Sequence, residues 1–255
     1  LQTLVLLHGA PGDGTLWRPV AAALTRDARV LCPTLRWFGP DPWHDDGSGF
    51  GTAAHTEQLI ALLEAEADRP VAVAAWSYST HVLLSALLRR PDLIRKAFLY
   101  EPGLSTYLAD ADDRAAFHAD AHRAFGPIAD ALRTKGAEHA VEVLFDSSGG
   151  DGCFGMLSPD RRARYRASAR IMPLLMGGGQ PPANITADDL GRIAVPVTVS
   201  FGRQTRPLFE IASRAVARSI SSAALRIIED ADHMLPEKKP VRFASVLDAW
   251  LGERP

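Results

Sequence analysis

Short continuous apolar runs alternate with segments of helical spacing along most of this chain. Residues 4–7, 30–32, 71–74, 97–100, 195–201 and 225–228 are the apolar runs, and turn-forming residues bound them. Runs of that length predict buried strands. Between them, residues 16–25 predict an amphipathic helix. Thr52 is placed to cap a helix through Leu59, Leu62 and Leu63. An apolar helix over 81–88 closes near Pro91, and a last one runs over 239–251 with Pro240 in its first turn. Strands separated by helices predict an α/β fold with a mostly parallel, doubly wound sheet.

The alternation stops between residues 103 and 191. That stretch is helix-like and strand-poor, with predicted helices over 114–125, 137–145 and 159–175. Ser/Gly-rich (147–152) and Gly/Pro-rich (177–182) connectors join them. The expected organisation is a core of residues 1–102 and 192–255, with 103–191 inserted as a helical cap or lid. Residues 33–50 form a long Pro/Gly/Trp-rich loop, and no internal repeat is evident.

Composition narrows the class. The 255 residues carry a net charge of −2 and are 47% hydrophobic, an ordinary globular balance. Near-neutrality gives no electrostatic reason to expect nucleic acid or a membrane surface. No apolar run approaches a membrane span, and Leu1 opens straight into a strand-like segment rather than a signal peptide. A cytoplasmic protein that takes a small-molecule substrate is expected, with homo-oligomerisation left open. The missing initiator Met suggests a short omitted beginning. Cys32, closing a predicted buried strand, and Cys153, in a Gly-rich loop, are expected to be free thiols.

One stretch carries chemistry. Ala75-Trp76-Ser77-Tyr78-Ser79 joins a predicted strand to a predicted helix and is a variant of the G-x-S-x-G nucleophile elbow. Ala75 and Ser79 replace the glycines with small residues, so a tight turn remains feasible. Other candidates also fall at strand ends: the loop opened by His8-Gly9, Glu101, the loop 202–207 and, just after the last run, His233. Serine before histidine, with strand alternation and an insert between, resembles the α/β-hydrolase superfamily over essentially the whole chain. His8-Gly9-Ala10-Pro11-Gly12 is similar to that family's oxyanion loop, and Leu35-Arg36-Trp37-Phe38-Gly39 to its arginine–glycine loop. Leu99-Tyr100-Glu101-Pro102 and Ala231-Asp232-His233 fit its later strand ends. On this resemblance the sequence starts at the family's third strand, with the opening hairpin absent or trimmed.

The resemblance implies a cofactor-free, metal-free serine hydrolase of a small ester, lactone or related acyl substrate. Ser77 would be the nucleophile and His233 the base, with the backbone N–H groups of Ala10 and Tyr78 as oxyanion donors. The third member of the triad is open. The family usually places an aspartate after the penultimate strand, where this chain has Gln204 or Thr205. Glu101 is one replacement, Gln204 holding His233 by a neutral hydrogen bond is another, and loss of catalysis is the third account. A non-catalytic small-molecule-binding protein, a C–C bond hydrolase and a cofactor-independent oxygenase are the alternatives on the same fold.

Substrate clues are sparse. Trp37, Trp76, Met156, Met172 and Met176 are the candidate pocket residues, with Leu157, Leu174 and Leu175 from the insertion and Phe38 and Trp43 from the early loop. Arg161, Arg162, Arg164, Arg166 and Arg170 form a basic run that would either face solvent or attract an anion. His8 is expected to tie its loop together, and His81 to be a core or helix-face residue. His118 and His122 have helical metal-ligand spacing but no third ligand.

Overall fold

The computed structural model describes residues 2–66 and 68–253, so Leu1 and the expectation resting on it lie outside the described residues. Six strands form one sheet: β1 (Gln2–Leu7), β2 (Ala28–Leu31), β3 (Val71–Trp76), β4 (Ile94–Tyr100), β5 (Val197–Gly202) and β6 (Ala223–Ile228). Their spatial order is β2-β1-β3-β4-β5-β6, and every neighbouring pair is parallel. Each apolar run therefore became a strand. β3 and β5 are buried throughout, as central parallel strands must be when both faces are covered. The outermost strand β2 is only half-buried, which corrects the expectation of a fully buried second strand. It lies at the edge, where one side has no neighbour in the sheet.

The helices are α1 (Arg18–Ala23), α2 (Thr52–Ala65), α3 (Tyr78–Arg89), α4 (Ala111–Lys135), α5 (Ala137–Gly149), α6 (Pro159–Ala167), α7 (Ala187–Leu190), α8 (Pro207–Ser219), α9 (Leu235–Lys238) and α10 (Pro240–Gly252). Phe98 and Tyr100 share one face of β4 and meet Phe243 of α10 at 6.1 and 5.3 Å between ring centroids. Thr52 is not the cap of α2: Gly51 takes that position, and the buried Thr52 hydroxyl has no protein partner among the described residues. The expected helix over 159–175 is broken after Ala167 into short turns, ending in a wide turn at Leu174–Gly178 with Gly177 at φ 110°. Helix α8 was not among the predicted elements. Its signal was present, with Pro207 at the first position and Leu208, Phe209, Ala212, Ala215 and Val216 on one buried face.

Residues between β4 and β5 are helical, apart from turns and loops, and pack against the sheet domain through buried charge. Arg164 Nε donates to Asp13 Oδ2 at 2.6 Å, and Arg161 and Tyr165 both donate to Glu237. Asp120 of α4, 2% exposed, accepts from Arg206 Nη2 at 3.0 Å and from the Leu208 N–H at 3.2 Å. That carboxylate thereby caps the start of α8 and binds the segment between β4 and β5 to the loop after β5.

Candidate active site

Ser77 sits where β3 turns into α3, with φ 56° and ψ −117°. A non-glycine residue there stores roughly 1–3 kcal/mol of backbone strain, which the surrounding packing must hold. The turn is pinned on both sides. Ser77 N–H donates to Tyr100 O at 2.9 Å, and the Ser79 hydroxyl donates to the His8 carbonyl. Ala75 and Ser79 are both buried, so small residues are what allow strand, helix and loop to close up here. Gly9 adds to this closeness: a Cβ there would lie 3.0 Å from the Trp76 ring and 3.2 Å from Ser77 Cβ.

Glu101 ends the neighbouring strand and also has positive φ, 55°. Its carboxylate is fully buried and accepts three hydrogen bonds. Gly202 N–H donates to Oε1 at 2.8 Å, while the Thr205 hydroxyl at 2.6 Å and His233 Nδ1 at 2.7 Å both donate to Oε2. On the other edge of the imidazole, His233 Nε2 lies 3.0 Å from Ser77 Oγ. A buried carboxylate only accepts, so Nδ1 bears the proton and Nε2 is the free base facing the serine hydroxyl. Ser77, His233 and Glu101 therefore come together in one line.

Gln204 does not join them. Its side chain is exposed, and its backbone N–H is spent on Ala231 O at 2.9 Å. The residue of that loop that turns inward is Thr205. The backbone N–H groups of Ala10 and Tyr78 form no hydrogen bond to protein among the described residues, and both residues line the chamber in front of Ser77.

That chamber encloses about 680 Å³, within the range of small-molecule sites. Phe50, Leu104, Phe125, Leu144, Leu174, Leu175 and Phe209 supply much of its apolar wall. Of Trp37, Trp76, Met156, Met172 and Met176, only Met176 lines it. Met156 is 68% exposed on the insertion, whereas Met172 is fully buried in packing. Trp37 is buried against Phe50 and His55, and Trp76 is buried against Trp17 and His233. Leu174 and Leu175 reach the chamber, but Leu157, Phe38 and Trp43 do not.

No Asp, Glu, Lys or Arg lines the chamber among the described residues. The basic run of α6 points elsewhere: Arg161 and Arg164 to the core carboxylates, Arg166 to Glu142 at 2.7 Å, Arg162 to the Gly155 carbonyl. Arg170, just beyond α6, lies over the Trp43 ring. His118 and His122 are exposed on α4. No cluster of three potential metal ligands occurs among the described residues. Burial pushes the thiols of Cys32 and Cys153 up to about 11, so neither is a thiolate near neutrality.

Three other histidines are buried and hold the scaffold. His8 Nδ1 faces the Gly9 carbonyl, and Nε2 accepts the Leu35 N–H at 3.0 Å. His55 Nε2 donates to the Arg36 carbonyl at 2.9 Å, leaving Nδ1 to take the Tyr78 hydroxyl at 2.8 Å. Tyr78, the residue after Ser77, is thereby fixed by its side chain as well as its backbone. His81 Nδ1 meets the Tyr107 hydroxyl at 2.6 Å. The sequence placed Thr205 in the right loop, as an alternative at the usual acid position, but not as a donor to Glu101; Phe209 was missed, because it lies in no motif and acts through a contact across the chain.

Known proteins are similar to this chain in sequence or in fold. A lipase of Mycobacterium tuberculosis, LipV, is 23% identical over 98% of this chain and 94% of its own length. A thermophilic esterase from Thermogutta terrifontis superposes with a TM-score of 0.73 at 19% identity, covering 98% of this chain and 89% of that one. The enol-lactonase from Burkholderia xenovorans gives 0.73 at 17% identity, over 99% and 92% of the two chains. The model of the alpha/beta hydrolase family matches residues 4–246, nearly the whole sequence, and the chain belongs to that family.

Proposed function

We propose that the protein is a serine hydrolase of an uncharged ester or lactone with an apolar acyl group, working through an acyl-enzyme. The observation that carries this reading is the line Glu101 Oε2–His233 Nδ1 (2.7 Å) and His233 Nε2–Ser77 Oγ (3.0 Å), opening onto an apolar chamber. Ser77 Oγ attacks the carbonyl carbon while its proton passes to His233 Nε2. The carbonyl oxygen becomes an oxyanion, held by the N–H groups of Ala10 and Tyr78, each worth about 10²–10³ in rate by comparison with other oxyanion holes. Collapse breaks the bond to the alcohol oxygen, which leaves with the proton from Nε2. Water then repeats the sequence on the acyl-enzyme and releases the acid.

Glu101 keeps the Nδ1 proton in place and offsets the positive charge that forms on the imidazole. The chamber sets the substrate class. A charged acyl chain buried there would lose its hydration without finding a partner, a penalty of several kcal/mol.

Treatment with a fluorophosphonate probe tests the reading directly. One adduct per chain, mapped by peptide mass to Ser77, is the expected result; an unlabelled Ser77 in folded protein would overturn it. Thr205→Val removes one of three donors to the Glu101 carboxylate at nearly constant volume. Because a hydrogen bond to a charged group contributes about 1.5–3 kcal/mol, turnover of a short aryl ester should fall roughly 10- to 100-fold. An unchanged rate would mean that the hydroxyl does not support Glu101.

A further inference from the structure

We infer that Phe209 is a positioning residue for His233, an inference that rests on the hydrolase reading for its effect on rate. The Phe209 ring lies flat on the imidazole, with centroids 3.7 Å apart and planes 7° from parallel. The hydrogen bonds to Glu101 and Ser77 hold opposite edges of the imidazole, at Nδ1 and Nε2. They leave the ring free to rock about the line joining them. A second flat ring against its face removes that freedom. Trp76 also approaches the imidazole, with centroids 5.7 Å apart and planes tilted by 49°.

Phe209 packs closely on the Gly103 backbone. A Cβ at Gly103 would stand 3.0 Å from its Cε1, so the missing side chain at Gly103 is what gives the phenyl ring its place. Phe209 is 5% exposed and belongs to the first turn of α8, whose start is fixed by Asp120 through the Leu208 N–H and Arg206. The loop after β5 and the first turn of α8 therefore serve both partners of the serine: Thr205 orients the acid and Phe209 the base.

The contact also has an electrostatic sense. When His233 takes the Ser77 proton it becomes a cation lying on the face of a π-system, an attraction that the neutral ring lacks. Stabilisation that appears only as the proton moves raises kcat rather than binding. The positioning role therefore predicts an effect on turnover separable from the lining of the chamber.

Four proteins test this: wild type, Phe209→Leu, Phe209→Tyr and Gly103→Ala. Two measurements apply to each: hydrolysis of p-nitrophenyl butyrate, and the downfield Nδ1–H proton resonance of His233, assigned by its absence in His233→Gln. Leucine keeps the wall apolar but offers no flat face. Phe209→Leu is expected to lower kcat roughly 10-fold with KM within about twofold, and to broaden or lose the Nδ1–H signal. Phe209→Tyr should restore both, and Gly103→Ala, which leaves Phe209 in place but crowds it, should act in the same direction as leucine. An Nδ1–H signal that survives in Phe209→Leu overturns the inference, whatever happens to KM. If wild type turns over no ester yet its signal responds as described, the hydrolase reading fails and the positioning role stands.

Discussion

Glu101→Gln will lower ester turnover by roughly 10⁴, the loss seen when the acid of a serine protease triad becomes its amide. The geometry explains why so isosteric a change is so damaging. Oε2 accepts from both His233 Nδ1 and the Thr205 hydroxyl, and Oε1 accepts from the Gly202 N–H. A glutamine amide must turn its NH₂ towards one of these donors, leaving two hydrogens opposed in a fully buried space. Where the NH₂ faces Nδ1, the histidine loses either its tautomer or its orientation. Gln204→Ala, by contrast, removes an exposed side chain and should leave kcat unchanged. Steady-state kinetics of both variants, with circular dichroism to confirm folding, decide the assignment. Full activity in Glu101→Gln would exclude Glu101 as the acid.

Lowering the pH from 6.5 towards 4 will destabilise the fold steeply. His8, His55 and His81 are each lowered to about 4, in every case chiefly by burial. In the unfolded chain they titrate near 6.5. Across this interval the unfolded state binds protons that the native state refuses, so stability is complete above the unfolded value and falls as pH drops. The loss approaches about 3 kcal/mol per histidine at the lower end, large against the total stability of an ordinary domain. Hydrogen bonding enforces the refusal. At His8 this is direct: protonating Nε2 would set a donor against the Leu35 N–H. Asp13 behaves oppositely: burial alone would raise it, but bonds from Thr15 and Arg164 hold it below its ordinary value. Its contribution is lost only below that range. Urea unfolding at stepped pH measures the difference; a flat midpoint between pH 6.5 and 4 would show that these rings are not held neutral.

Much of the fold was legible because a buried parallel strand has a local signature. Leu4–Leu7 or Val71–Ala74 are apolar without alternation, and only a sheet covered on both faces has use for such a run. Ser77 and His233 were legible for a related reason: a small-x-Ser-x-small turn and a late strand-end histidine lie close to recognisable neighbours. The choice between Glu101 and Gln204 was not, because a carboxylate at one strand end and an amide at another do not reveal which of them faces the histidine. What separates them is direction. Glu101 points beneath the histidine from a strained strand end, while the loop after β5 turns Thr205 inward and Gln204 out. The pocket was legible only in character. Apolar residues of the insertion were expected to line it, but which of them do depends on the breaks after Ala167 and at Gly177, which turn Met172 into packing and Met176 into wall.

The ends of the insertion leave from β4 and return to β5, and these strands are direct neighbours in the sheet. Joining points that close make the insertion inexpensive to lengthen, since loop closure grows only logarithmically with length. Substrate range in such a scaffold can be changed by exchanging the segment wholesale, with the strands left untouched. Asp120 qualifies that freedom. A chimaera that replaces α4 leaves the Arg206 guanidinium and the first N–H groups of α8 without their carboxylate, and with them the footing of Thr205 and Phe209. Grafted segments that carry an acidic residue to this point should therefore work at once, and those without it should bind their new ligands but turn them over slowly.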